Sequence, residues 1–269
     1  MLKIIFSLTL VCALVFSCST VPVTGRKQVM LVSPAEVQAM SFSQYDQFLK
    51  ENKVVTGTKD AEMIKRVGAR IQKAVEIYMA EKGLSSKLNG FKWEFNLVEE
   101  DVLNAWCMPG GKVVFYTGIL PTCQDEKGVA IVMGHEVAHA IAEHGAERMS
   151  QQMVAQGVAT GLDVATMESS PQIRNIFGAS VGMGSQLGIL AFSRQHESEA
   201  DHIGLIFSSM AGYDPSEAPK FWQRMKDSAG GAAPPEFLST HPSSDTRIKD
   251  LNALLPEATE IYNKYKDKY

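Results

Sequence analysis

The five residues His135-Glu136-Val137-Ala138-His139 constrain this chain more than any other feature. Histidines four apart fall on one face of an α-helix, so both imidazoles can point at a single metal ion. The pattern demands a helix, and its neighbours agree. Ile131, Val132, Val137, Ala138 and Ile141 make the segment apolar and suited to burial. Neutral imidazole is a good zinc ligand, at about 2.0–2.1 Å. Glu136 follows the first histidine, so its carboxylate can stand beside a zinc-bound water without ligating. There it can take the proton as that water attacks a carbonyl. Zinc brings the pKa of its water to about 7, which makes hydroxide available at neutral pH. With only 6 histidines in 269 residues, chance would produce such a match in roughly one chain in a hundred. His144, five residues past His139, reads as a histidine near the helix C-terminus that points elsewhere.

A catalytic zinc site takes three protein ligands and keeps one position open. The third can come from Ser193-Arg194-Gln195-His196-Glu197-Ser198-Glu199-Ala200-Asp201. Glu197 and Asp201 are four apart and share a helix face, whereas Glu199 points to nearly the opposite side. Glu197 as ligand and Asp201 as acceptor of a ligand histidine's other N–H make a sensible pair. Standing alone, such a stretch reads as a solvated charge run. Following a zinc helix, it reads as the source of the third ligand.

His-Glu-Val-Ala-His, then Phe-Ser-Arg-Gln-His-Glu-Ser-Glu-Ala-Asp at 192–201, then Thr-His-Pro…Arg at 240–247 resemble the HtpX-like and CAAX-prenyl-protease-like zinc metallopeptidases. Within them the chain is similar to the exported bacterial lipoproteins related to the mitochondrial Oma-type peptidase. Asn104-Ala105-Trp106 before Pro109-Gly110-Gly111, and Tyr116-Thr117-Gly118, also match that branch. The resemblance implies zinc bound by His135, His139 and Glu197, Glu136 as base, and Asp201 behind the ligands. It also implies that His241 and Arg247 line the active site. The expectation is that both are catalytic and stabilise the oxyanion of amide hydrolysis; the alternative is that His241 occupies zinc's open position when substrate is absent. Many relatives carry transmembrane helices or a C-terminal helical-repeat domain; this chain reads as having neither.

Composition adds limits rather than identity. The chain is 45% hydrophobic and 21% charged, ordinary globular values. A net charge of -4 and a pI near 5.9 point to no nucleic-acid partner. Lys3 followed by an apolar run to Phe16 has the layout of a signal peptide over residues 1–17, too short for a membrane span. Val15-Phe16-Ser17-Cys18 resembles a lipobox, which implies cleavage before Cys18 and acylation of it. An ordinary cleaved signal with an incidental cysteine is the alternative. Ser19 after Cys18 leans towards the outer membrane, by resemblance to Gram-negative lipoproteins. Residues 18–34 read as a lipidated, extended tether and 35–269 as the zinc metallopeptidase domain.

Helical periodicity is clearest from Asp60 to Lys82, with Gly83 as a stop. Residues 91–98 alternate as a strand, and Asn104–Met108 with Lys112–Thr117 flank Pro109-Gly110-Gly111 as a hairpin. Thr122 with Asp125 resembles a capping box opening the zinc helix. The fold class expected is α+β: a helix-rich, zincin-like domain with a small antiparallel sheet of about three strands. Asn104, Ala105 and Trp106 are the candidate edge strand on which an extended substrate could pair; a plain sheet edge reads equally well. Residues 150–190, rich in Gly and Met, could cover the cleft as a lid. Pairing of Cys107 with Cys123 is left open, because the hairpin puts them towards opposite ends.

These readings converge on a zinc metalloendopeptidase acting on polypeptides, misfolded or unassembled envelope proteins, from the periplasmic side of a bacterial envelope. A zinc-stabilised chaperone or scaffold that binds such clients without cutting, and a zinc hydrolase of a non-peptide bond, are the alternatives.

Overall fold

The computed structural model describes residues 18–155, 171–181, 193–228, 237, 241 and 245–268. The expected signal peptide, most of the expected lid and the loop at 229–235 lie outside the described residues.

The central element is the helix α3 (Glu126–Ile141), buried at every residue from Gly128 to Ile141. Asp125 caps it: its Oδ1 accepts from the N–H groups of Lys127 (2.8 Å) and Gly128 (3.2 Å). The Thr122–Asp125 capping box expected from the sequence does not form. Thr122 belongs to a separate turn of helix, Leu120–Cys123, which Gln124 ends at φ 67°. Before α3 come α1 (Pro34–Glu51), opened by a Ser33–Glu36 capping box, and α2 (Lys59–Glu81), capped by Thr58. On α2, Ile64, Val67, Ile71, Val75 and Tyr78 are buried, the stripe that the periodicity outlines. After it come α4 (His144–Ala155), α5 (Pro171–Val181), α6 (Arg194–Met210), α7 (Glu217–Ser228) and α8 (Asp245–Tyr265).

Helix α6 packs along α3, and glycines set how closely. A Cβ on Gly134 would sit 2.7 Å from the Gly204 carbonyl oxygen, and one on Gly204 would sit 2.7 Å from the His135 nitrogen. Neither position admits a side chain without separating the helices. That crossing brings the face of His135 and His139 against the face of Glu197 and Asp201.

Among the described residues six strands form two sheets. β1 (Cys18–Thr20) pairs antiparallel with β2 (Lys27–Val29). The main sheet has the order β3-β4-β6-β5, from Val54–Val55, Glu94–Val98, Lys112–Tyr116 and Ala105–Met108. It therefore has four strands rather than three, and β4 lies parallel to β6, against the all-antiparallel expectation. The chain leaves β4, runs out as β5, and turns back through Pro109-Gly110-Gly111 to insert β6 between them. Parallel neighbours need such an excursion, which local alternation cannot reveal.

Both faces of this sheet are covered. Ala105, Cys107, Val113 and Phe115 join α2, α3 and α6 in the main core. Trp106, Met108, Val114 and Tyr116 join Val37, Met40 and Tyr45 of α1, Met149 of α4 and Phe177 of α5 in a second. Residues 18–34, expected as an extended tether, are packed instead: the β1–β2 hairpin lies against the domain, with Val21 and Gln28 buried. Among the described residues no helix is long and apolar enough to cross a membrane. Cys107 and Cys123 are both buried and unpaired with each other, and burial pushes both thiols up, so neither is a reactive thiolate.

Candidate metal centre

His135 and His139 project from α3 with their Nε2 atoms 3.1 Å apart. Glu197, in the first turn of α6, puts Oε1 at 3.4 Å from His139 Nε2 and Oε2 at 3.6 Å from His135 Nε2. His241 completes the group, with Nδ1 3.0 Å from Glu197 Oε1 and 3.3 Å from His135 Nε2. One donor atom from each of His135, His139, Glu197 and His241 lies within 4.8 Å of all the others. Two like-featured imidazole nitrogens facing each other at 3.1 Å gain little from one another. Three imidazoles and a carboxylate converging on one point are a donor set suited to a divalent metal.

His241 is held through Phe237 by the segment that leads into β5. Its N–H donates to the Phe237 carbonyl (2.7 Å), whose own N–H donates to Leu103, and the Phe237 ring stacks on the imidazole at 4.6 Å. Glu136 points into the same space without joining the cluster. Its Oε1 is 3.7 Å from His241 Nε2 and is buried without a hydrogen-bond partner. A buried carboxylate oxygen in that state costs free energy, on the order of 1–3 kcal/mol or more for a charged group. Such a cost is commonly retained where a reacting group has to be met.

Behind the donors, Asp201 Oδ1 is 3.1 Å from His135 Nδ1. Arg247, from the first turn of α8, reaches both carboxylates of α6. Its Nη2 donates to Asp201 Oδ1 at 2.7 Å, its Nε also meets Asp201, and its Nη1 is 2.6 Å from Glu197 Oε2. The guanidinium lies 3.3 Å over the Trp222 ring centroid, and Trp222 also meets His135 edge-on at 5.4 Å. Arg247 Nη2 also lies 3.2 Å from both ring nitrogens of His135, so the guanidinium bridges Asp201 and Glu197 beside the donor cluster. Burial opposes charge on Glu197, but His241, Arg247 and the hydrogen bonds of His135 and His139 hold its carboxyl well below the usual range. Burial lowers His139 well below an ordinary histidine, leaving it neutral as metal ligation requires. Burial raises Glu136, the direction useful to a general base.

The seven site residues are only 2–6% exposed, so the described state is closed. Asn104, Ala105 and Trp106 lie where the sheet ends beside α3, and β5 is an edge strand by topology. All three are buried, however. Asn104 Oδ1 takes the Ala105 N–H at 2.9 Å, and Trp106 packs edge-on against Tyr45 and Phe48.

His144 is a correction. Glu143 adopts φ 60°, which ends the α3 direction and starts α4 at an angle. His144 is therefore turned back: its Nδ1 is 2.9 Å from His139 Nδ1, and its Nε2 is 2.9 Å from Glu199 Oε2. Counting residues past His139 on one continuous helix pointed it the wrong way. Arg26, Glu147, His196 and Glu199 join this arrangement. Arg26 and Glu147 carry no motif in the sequence, and His196 and Glu199 lie in the third-ligand segment on faces that helical counting turns away from the metal.

A buried His-Glu-x-x-His helix crossed by an acidic helix, with a small sheet alongside, defines a zincin-like peptidase domain. The chain belongs to peptidase family M48, whose family model matches residues 65–255. It is 40% identical over 185 residues to the mitochondrial metalloendopeptidase OMA1 of Saccharomyces cerevisiae, covering 66% of this chain and 51% of that protein. The human metalloendopeptidase OMA1 is 30% identical over 249 residues, 89% of this chain and 46% of that one. The beta-barrel assembly-enhancing protease of Escherichia coli is 32% identical over 174 residues, 62% and 36%. The chain thus spans about half the length, or less, of these curated relatives.

Proposed function

We propose that this chain is a zinc-dependent metalloendopeptidase that cleaves unfolded or unassembled polypeptides of a bacterial envelope. The observation that carries the reading is Glu136: a buried carboxylate with an uncommitted oxygen, beside a four-donor cluster. His135, His139 and Glu197 would hold the metal, and the mixture of imidazole and carboxylate suits zinc. Bound zinc would supply Lewis acidity at the scissile carbonyl and acidify a water molecule. Glu136 takes the proton of the attacking water and passes it to the leaving nitrogen, a role favoured by its raised pKa. Asp201 accepts from His135 Nδ1 and so keeps Nε2 facing the cluster. Arg247 spans Glu197 and Asp201, balancing the charge of two buried carboxylates and fixing their angle. A substrate strand would pair along Asn104, Ala105 and Trp106 once the cleft opens, with main-chain hydrogen bonds that tolerate varied sequences.

The envelope assignment rests on the lipobox-like run ending at Cys18 and on the similarity to a beta-barrel assembly-enhancing protease. On this reading the protein is an outer-membrane lipoprotein facing the periplasm, with unassembled envelope proteins as clients. A zinc-stabilised chaperone for the same clients is the second reading, favoured by the closed cleft. Incubation of the zinc-loaded protein with an unfolded polypeptide, with and without chelator, separates the two. Cleavage that the chelator stops is expected. Prevention of aggregation by the zinc-loaded protein with no cleavage would favour the chaperone.

A further inference from the structure

His139 turns Nε2 towards His135 and Glu197, so its other nitrogen faces away from the donor cluster. That nitrogen meets His144 Nδ1 at 2.9 Å, with His144 fully buried. Two nitrogens at this distance need one proton between them. If His139 keeps the Nε2 lone pair for a metal, its proton is on Nδ1 and donates to His144. His144 then carries its own proton on Nε2, 2.9 Å from Glu199 Oε2, and donates to that carboxylate.

Glu199 is reached from a third direction. The Thr24 hydroxyl donates to its Oε1, and Arg26 Nε donates to its Oε2 at 2.8 Å. Both residues lie in the turn joining β1 and β2, the hairpin that begins at Cys18. Arg26 spends its other two nitrogens on Glu147, at 2.9 and 2.7 Å, and Glu147 accepts from His196 Nε2 at 3.1 Å. The His196 and His144 rings stack at 4.4 Å, which closes the arrangement.

We propose that His144 and Glu199, locked by Thr24 and Arg26 of the N-terminal hairpin, are positioning residues for His139, so that the segment next to Cys18 helps set the metal affinity of the site. This rests on the reading of His139 as a metal ligand. Partners of a ligand histidine's second nitrogen fix its ring and tautomer, and their loss typically weakens metal binding about 10–100-fold. The hairpin is a separate supporting layer: without Arg26, Glu147 and Glu199 lose the cation that bridges them. Their repulsion would move α4 against α6 and carry His144 with it.

The test is zinc affinity of the purified full-length protein, by competition with a chromophoric chelator, alongside the visible spectrum of the cobalt(II)-loaded form. His144→Leu and Glu199→Gln are expected to bind zinc about 10–100-fold more weakly, with an altered cobalt spectrum. Arg26→Gln is expected to weaken binding several-fold, whereas Arg66→Gln, which removes an exposed ion pair with Glu126, leaves it unchanged. His144→Asn, which can accept from His139 and still donate onward, should recover part of what His144→Leu loses. The double variant Arg26→Gln/His144→Leu should bind no more weakly than His144→Leu alone, because both cut one route. Should His144→Leu fail to fold, Thr24→Val/Arg26→Gln carries the same expectation. Folded variants with wild-type affinity and cobalt spectrum, or fully additive losses, overturn the proposal. Wild-type protein that takes up no zinc overturns the metal-centre reading, and this relay with it.

Discussion

His241 has two possible uses, and its geometry distinguishes them. An oxyanion donor should stand clear of the metal ligands, near where the carbonyl oxygen will lie. Here Nδ1 sits between Glu197 and His135, at 3.0 and 3.3 Å, as one of four converging donors. The sequence points to oxyanion support, with self-inhibition as the alternative; the positions of these atoms favour self-inhibition in the closed state. Substrate would then have to displace His241, whose backbone N–H donates to the Phe237 carbonyl. His241→Ala is accordingly expected to raise basal cleavage of an unfolded polypeptide several-fold while zinc is retained. A large fall in turnover with zinc retained would restore the oxyanion role. Arg247, by contrast, is expected to matter through Glu197 and Asp201, the two carboxylates it bridges.

The helices that carry the site could be read from the chain because each announces itself locally. The His-Glu-x-x-His segment combines ligand spacing with unbroken apolar flanks, and Glu197 with Asp201 shows a shared face four residues apart. What stayed hidden depends on how elements meet. Gly134 and Gly204 look like ordinary helix-weakening residues until the two helices are laid across each other, where neither can carry a Cβ. The turn at Glu143 is equally silent: a glutamate at φ 60° is uncommon, so helical counting ran straight through it and misaimed His144. The parallel β4–β6 pair escaped for a related reason, since alternation gives a strand's faces but not its neighbours. Arg26 was invisible because the Thr- and Pro-bearing segment around it suggests a tether. Only tertiary contact with Glu147 and Glu199 gives that guanidinium a place.

Two cores, one on each face of the four-stranded sheet, make a rigid block around α3. The N-terminal hairpin is fastened to that block on the side of His144, so a lipid on Cys18 would hold the domain close to the membrane rather than on a long leash. Cys18→Ser is expected to abolish lipid labelling and release the protein in soluble form. Persistent partition of that variant into detergent would require a different anchor. For the molecule as a whole, the claim that most depends on the site's geometry is that Glu136 acts beside the metal without holding it. The decisive measurement pairs zinc content with proteolysis in Glu136→Gln, a substitution that keeps size and removes the base. Stoichiometric zinc with cleavage of an unfolded polypeptide reduced at least about 100-fold is the expected result. Loss of the zinc, or cleavage at the wild-type rate, would contradict it.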